Sequence, residues 1–393
     1  MIKKRAAVNI LMLLEKEFPH DIRVEKEIDT LIKAGHSVSI ATISHKRLFE
    51  KEEMLTTGCQ VFRRKISNVV FKSSVGCLKF PIYFNFWRNY IRDILSTHAF
   101  DAIHVHDLPL AKIGYEMKRE FKLHFVLDLH ENWPAAMEIA HHTNTFMGRI
   151  LSSNKQWRNY EKKMTHLADA VVVVVQEMGD RIHALGVNRD MIYEVENTLT
   201  DAMLDSFSGN SNPEFLTLFY SGGINKHRGL QIVINALPKV ITKYPKMRLW
   251  IVGDGSYVHH LRHLAQELQV ADYVTFHGHK PYKEVFSMLM KSDIALIPHL
   301  KSEQTDNSSP NKLYEYMLSN KPILTSNCKS VQRVVETEKI GVTYEHDNPD
   351  DFVNKLSVIL NNRDALKGGF SVLKKKYLWS ITEQNLIALY KNL

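Results

Sequence analysis

Cysteine is scarce in this chain. Three in 393 residues (Cys59, Cys77 and Cys328) cannot close an even-numbered disulfide framework and show no metal-ligand spacing. That excludes a cystine-stapled secreted domain and a zinc ribbon, and points to a reducing cytoplasm. No Asp-x-Asp pair offers the usual carboxylate grip on a divalent ion. No run approaches the ~20 apolar residues that a spanning helix needs. Asn9, Glu15, Lys16 and Glu17 interrupt the apolar N-terminal stretch, which reads as a first buried strand rather than a leader. Acid is missing altogether between Glu53 and Asp93. What remains is an ordinary globular composition, 44% hydrophobic and 24% charged, with a net charge of +8.

Short apolar, often β-branched runs alternate with helix-like stretches. Residues 6–14, 37–42, 102–105, 124–129, 170–175 and 191–195 read as strands, and 23–34 as a helix stopped by Gly35. The second half repeats the scheme, with strands at 216–221, 248–252, 273–277, 294–297 and 322–325 and helices at 230–243 and 257–269. Such alternation predicts parallel sheets covered on both faces. The length calls for two α/β domains, at 1–200 and 201–375, around the polar segment 198–213. Ligands in doubly wound sheets sit at the carboxyl ends of the strands, so a central cleft is the expected site.

The most telling segment is Asn307-Ser308-Ser309-Pro310-Asn311-Lys312-Leu313-Tyr314-Glu315, followed by a buried strand from Pro322. Ser309 reads as an N-cap and Pro310 as the first helical residue. The amides of Asn311 and Lys312 would then face an anion at the positive end of the helix dipole, beside the lysine charge. Glu315, one turn on, could accept hydroxyl hydrogens. A diphosphate carrying a ribose fits all three. The plain alternative is a capped surface helix with a solvated Lys/Glu pair. Glycines follow three predicted strands: Gly222 and Gly223, Gly253 with Asp254 and Gly255, and Gly278 with His279. The run 253–255 begins like a dinucleotide fingerprint but has Val258 where the third glycine belongs. Arg228 adds a second cation on the same rim.

These residues resemble the family 4 nucleotide-sugar glycosyltransferases, also called glycosyl transferases group 1, which share the two-domain GT-B fold. The likeness is strongest from Tyr220 to Leu324 and includes Asp293-Ile294-Ala295-Leu296-Ile297-Pro298. In the first half it rests on Asp21-Ile22-Arg23-Val24, Ala34-Gly35-His36 and Asp128-Leu129-His130-Glu131. The closing stretch 376–393 is similar to the family's last helix, which crosses back to the first domain. The resemblance implies two Rossmann-like domains facing a central cleft. It also implies a hexosyltransferase-type enzyme that passes a sugar from a nucleotide diphosphate (UDP or GDP) to a hydroxyl with retention. It implies Lys312 and Arg228 on the diphosphate and Glu315, the second glutamate of the family's Glu-x7-Glu motif, on the ribose. His130 is expected on the donor sugar, and Gly278 and His279 near the base. Ser308, Ser309, Asn311 and Leu313 complete the donor set. Two positions depart from the pattern. Asn307 stands where the first glutamate should be, with Glu303 as an upstream substitute, and Gly223 replaces a common basic residue. No cofactor is expected, the nucleotide-sugar being a substrate, and side chains would replace a metal.

The first domain is expected to hold the acceptor, a lipid-linked or growing saccharide, with Asp21, Arg23, His106 and Asp107 as candidates. His141-His142 lacks a fixed third ligand, so no metal is expected there. The acid-free interval carries Arg63, Arg64, Lys65, Lys72, Lys79, Arg88 and Arg92 among Phe71, Phe80, Tyr83, Phe84, Phe86 and Trp87. This pattern suits peripheral attachment to an anionic cytoplasmic membrane face; a buried helix with a solvated basic edge is the alternative. Nucleic acid is not expected, since no binding motif accompanies the charge. Two other functions share the diphosphate site: a sugar-nucleotide epimerase, and a non-catalytic partner of another transferase.

Overall fold

The computed structural model describes residues 7–19, 21–45, 49–139, 152–204, 214–362, 366 and 370–393. His141-His142 lies outside them. The chain divides into two compact units, residues 1–196 with 382–393, and residues 197–381. The final helix Trp379–Asn392 therefore gives all but its first turn to the first unit.

The first unit carries an eight-stranded sheet. Its strands are β1 (Asn9–Leu13), β2 (Ser37–Ser44), β3 (Glu52–Met54), β4 (Gln60–Lys65), β5 (Ala102–His106), β6 (His124–Leu129), β7 (Ala170–Val173) and β8 (Ile192–Glu194). Their order is β3-β4-β2-β1-β5-β6-β7-β8, parallel except for β3 against β4. The second unit has six parallel strands, β9 (Leu216–Ser221), β10 (Met247–Val252), β11 (Val274–Gly278), β12 (Ile294–Ile297), β13 (Ile323–Ser326) and β14 (Gly341–Tyr344). Their order is β11-β10-β9-β12-β13-β14. Both are doubly wound Rossmann-like sheets. The order reverses beside β1 in the first and β9 in the second, and such switch points open a crevice at the strand ends.

The helix Ile82–Thr97 corrects one expectation. From Phe84, Trp87, Ile91 and Ile94 follow every three or four residues, and these with Tyr83 pack into the first unit's core. Most aromatics of the acid-free interval are therefore unavailable to a membrane. Its cations are also largely paired: Arg63 with Glu53 (2.7 Å), Arg64 with Asp93 (2.6 Å), Arg88 with Glu116 (2.8 Å) and Arg92 with Glu120 (2.7 Å). What stays exposed of its apolar side chains is Met54 and a smaller patch of Val69, Phe80 and Ile82, with Lys72 and Lys79 close to the patch in sequence. No helix among the described residues is long and apolar enough to cross a membrane.

Candidate functional site

At the carboxyl ends of β9 and β10 the second unit opens a pocket of about 590 Å³. Two glycines make room for it. Gly222 has φ +126°, and a Cβ there would sit 2.9 Å from Lys312 Nζ. Gly253 has φ +129°, and a Cβ would strike the Gly222 carbonyl at 2.0 Å. Gly223, Asp254, His279, Lys280 and Tyr282 also line the pocket. Tyr220 underpins the turn by donating its hydroxyl to the Gly223 carbonyl (2.7 Å).

The helix Asn311–Leu318 points its first turn at the same pocket, and Ser309, Pro310, Asn311, Lys312 and Glu315 are all in the lining. Its start differs from the expected one by a residue. Pro310 is the N-cap (φ −69°, ψ 130°), and no side chain caps the end. Ser309 instead donates its hydroxyl to Tyr314 (2.8 Å), inside the fold. A helix end without a side-chain cap keeps its amide partial charge available to a ligand.

Lys312 is 8% exposed, and its ammonium has no hydrogen-bond partner among the described residues. It rests 3.8 Å over the Tyr220 ring. Burial, with Arg228 adding repulsion, drives its pKa well below the usual lysine value. Arg228 donates to His299 Nε2 (3.2 Å). His299 is itself held neutral by burial and by the two cations. Glu315 accepts from the Tyr282 hydroxyl at 3.4 Å. Burial raises its pKa to about 6, Lys312 and Tyr282 opposing. A buried ammonium that lacks a hydrogen-bond partner and is only partly offset by Glu315 is costly to the free protein, and an incoming dianion reduces that cost.

Four expected donor residues lie elsewhere. Asn307 donates its amide to the Glu303 carbonyl (2.7 Å), capping its own short helix. The Ser308 carbonyl accepts from Ser330 (2.6 Å). The Leu313 side chain faces the hydrophobic core, and its amide bonds Pro310. Gly278 accepts the Gly253 amide (2.8 Å) without lining the pocket. Glu303 is exposed and is not in the lining either.

The first unit gathers a second group at the ends of β5 and β6. His104 and His106, two apart, share one face of β5, and the register sets His106 opposite Asp128. His130 Nε2 lies 3.1 Å from Asp128 Oδ2 and 3.2 Å from His106 Nδ1. Asp107, with φ +67°, takes the His130 backbone N–H on Oδ1 (3.2 Å). Burial alone would lower the His130 pKa, but Asp107 and Asp128 outweigh it and raise it to about 9. His106 goes the other way: burial lowers it to about 3. Two acceptor candidates have partners within the first unit. Asp21 caps the first helix by accepting the Val24 amide (3.3 Å). Arg23 is buried, bonding Asp128 (3.0 Å), Glu27 (3.0 Å) and the Val195 carbonyl (2.7 Å). Glu27, His104, His106 and Asp128 bring one donor atom each within 4.8 Å of the others, a spacing a metal could use. The Arg23 guanidinium already engages both carboxylates, however, and two cations there would repel. Tyr220, Tyr282, His299, Glu27 and Tyr390 were not singled out as site residues in the sequence, and His104 reads there as a structural or solvated histidine. The i, i+2 histidines beside an aspartate were the available signal.

Residues 23–199 match Glycosyltransferase Family 4, and residues 203–368 match Glycosyl transferases group 1. Spore coat protein SA of Bacillus subtilis is 24% identical over 187 residues, which span 44% of this chain and 48% of that protein. The phosphatidyl-myo-inositol mannosyltransferase of Mycolicibacterium smegmatis is 22% identical over 92% of this chain and 87% of its own. Trehalose-6-phosphate synthase from E. coli, solved bound with UDP-2-fluoro glucose, superposes with a TM-score of 0.73 at 13% identity, covering 97% of this chain and 98% of that one.

Proposed function

The chain belongs to the group 1, family 4-type glycosyltransferases, and we propose that it moves a sugar from a nucleotide diphosphate to a hydroxyl acceptor with retention. The carrying observation is Lys312, buried beside Arg228 at an uncapped helix end, its ammonium without a hydrogen-bond partner among the described residues. Breaking the sugar–phosphate bond leaves negative charge on the diphosphate. Cations and amides aimed there stabilise the transition state more than the ground state. Glu315 takes the ribose hydroxyls, the turn at Gly222 and Gly253 admits the phosphates, and His130 serves the sugar. The departing phosphate accepts the acceptor's proton, so the sugar arrives on the face it left from. Charge compensation by Lys312 and Arg228 stands in for a divalent ion, and turnover is expected to survive EDTA.

A UDP- or GDP-sugar is the donor this reading favours. UDP-2-fluoro glucose bound to a structural neighbour is consistent with it. The acceptor is a lipid-linked or growing saccharide at an anionic membrane surface, reached through Val69, Phe80, Ile82 and the neighbouring lysines. The test is donor turnover with a mixture of lipid-linked acceptors, in the native chain and in Lys312→Ala/Arg228→Ala. Turnover that requires acceptor and collapses in the double variant supports the reading. Unchanged turnover and nucleotide affinity in that variant refute it.

A further inference from the structure

The His130 ring has a carboxylate toward each nitrogen, and the two distances differ. Nε2 is within hydrogen-bond reach of Asp128 Oδ2 at 3.1 Å, while Nδ1 lies 3.6 Å from Asp107 Oδ2. A neutral imidazole would aim a lone pair at one of these oxygens, so the doubly protonated ring is the form that suits both. Asp128 is fully buried and cannot turn away. Arg23 grips it from the first helix at 3.0 and 3.3 Å, and His106 Nδ1 lies 3.3 Å from its Oδ2. His104 closes the other side, stacked on His106 at 4.6 Å and bonded through Nδ1 to the Tyr390 hydroxyl of the final helix (2.9 Å). Glu27, also buried, pairs with Arg23 and lies 3.9 Å from His104 Nε2.

We propose that Asp128 is a positioning residue: it holds His130 as an imidazolium with Nε2–H tied inward, leaving Nδ1–H as the donor offered to a substrate oxygen. The inference rests on the reading of His130 as the residue that meets the donor sugar. Two nearby histidines would normally compete for the proton. His104 and His106 lose that competition because burial disfavours charge on both. His130, flanked by two carboxylates, keeps it. The hydroxyl of a sugar, or an oxygen gaining charge as the glycosidic bond breaks, is the acceptor chemistry that fits a fixed N–H of this kind.

The test is 15N-histidine NMR on the full-length chain, with His130 assigned through His130→Gln. In the native chain the ring is expected doubly protonated at pH 7.5, with the Nε2 proton as the hydrogen-bonded one. A neutral ring at that pH overturns the proposal, and this reading needs no fragile variant. Asp128→Asn should lower the titration midpoint by about one pH unit or more. It should also reduce turnover at pH 8 at least tenfold, move the pH optimum toward acid and leave UDP or GDP affinity unchanged. Asp128→Glu should restore part of both. A midpoint unmoved in Asp128→Asn sinks the inference. Full turnover in His130→Gln sinks instead the assignment of His130 to the sugar, whatever the titration shows.

Discussion

At the scale of single residues the donor pocket works by withholding partners. Lys312 meets an aromatic face, a glycine and a helix end, and Glu315 offsets its charge less than burial and Arg228 oppose it. Replacing it with methionine should therefore split stability from function. The free Lys312→Met protein is expected to melt at least about 2 °C higher, equivalent to roughly 1 kcal/mol in a unit this size. Its turnover should drop by about 100- to 1000-fold. Differential scanning fluorimetry with and without UDP or GDP reads both effects, and a lower melting point with nucleotide binding intact would contradict the argument. Glu315 supplies a second signature. Ribose hydroxyls donate to a carboxylate, not to a carboxylic acid proton, so nucleotide affinity should decline as pH falls through about 6. Calorimetric titrations from pH 7.5 to 5 should show that decline in the native chain, and Glu315→Gln should bind more weakly with a flat profile.

At the scale of elements, local periodicity located the strands and helices well but judged exposure poorly. The helix start at Asn311 was legible from Pro310 because proline pre-sets the backbone there. The cap was misread by one position because Ser309 found a buried hydroxyl, Tyr314, that local sequence does not reveal. β4 went unseen because Arg63 and Arg64 look like solvated charge. Arg63 is buried against the Phe18 carbonyl, and the acids that pair Arg88 and Arg92 come from the following helix, Ala111–Phe121. An acid-free interval in sequence is thus largely neutralised in space. Its membrane reading contracts to Val69, Phe80 and Ile82, exposed by 75%, 50% and 49%. Each half-exposed apolar side chain can gain on the order of 1 kcal/mol by entering an interface. Co-sedimentation with anionic vesicles should therefore fall about tenfold in Phe80→Ser/Ile82→Ser. Arg92→Ser, which removes an already paired charge, should change it little. Equal co-sedimentation of the native chain and the double serine variant would rule the patch out.

At the scale of the whole molecule, the two doubly wound sheets were readable because β-α alternation survives in composition. The charged centre of the first unit was not, since His104 and Tyr390 are 286 positions apart and only the fold brings them together. That centre should govern how the protein responds to pH. The folded chain raises the His130 pKa from 6.5 to about 9, so this contribution to stability is complete below pH 6.5 and lost as pH climbs through 9. Glu27 acts in the same direction. Burial raises its pKa from 4.5 to about 8, so ionising it in the folded state becomes a growing penalty over that interval. Asp128 acts oppositely. Burial alone would raise it, but Arg23 and His130 hold it well below the ordinary aspartate value, so its contribution is present above about pH 4 and lost in acid. Taken together, His130 and Glu27 should make stability fall as pH rises from about 6.5 toward 9, with Lys26, whose pKa burial lowers to about 7, opposing part of that fall, and Asp128 should make it fall again in acid. Melting scans across pH 5 to 9 should show that slope, and His130→Gln combined with Glu27→Gln should flatten it. A native melting temperature that holds steady or rises above pH 6.5 would mean that the buried cluster carries a different set of protons.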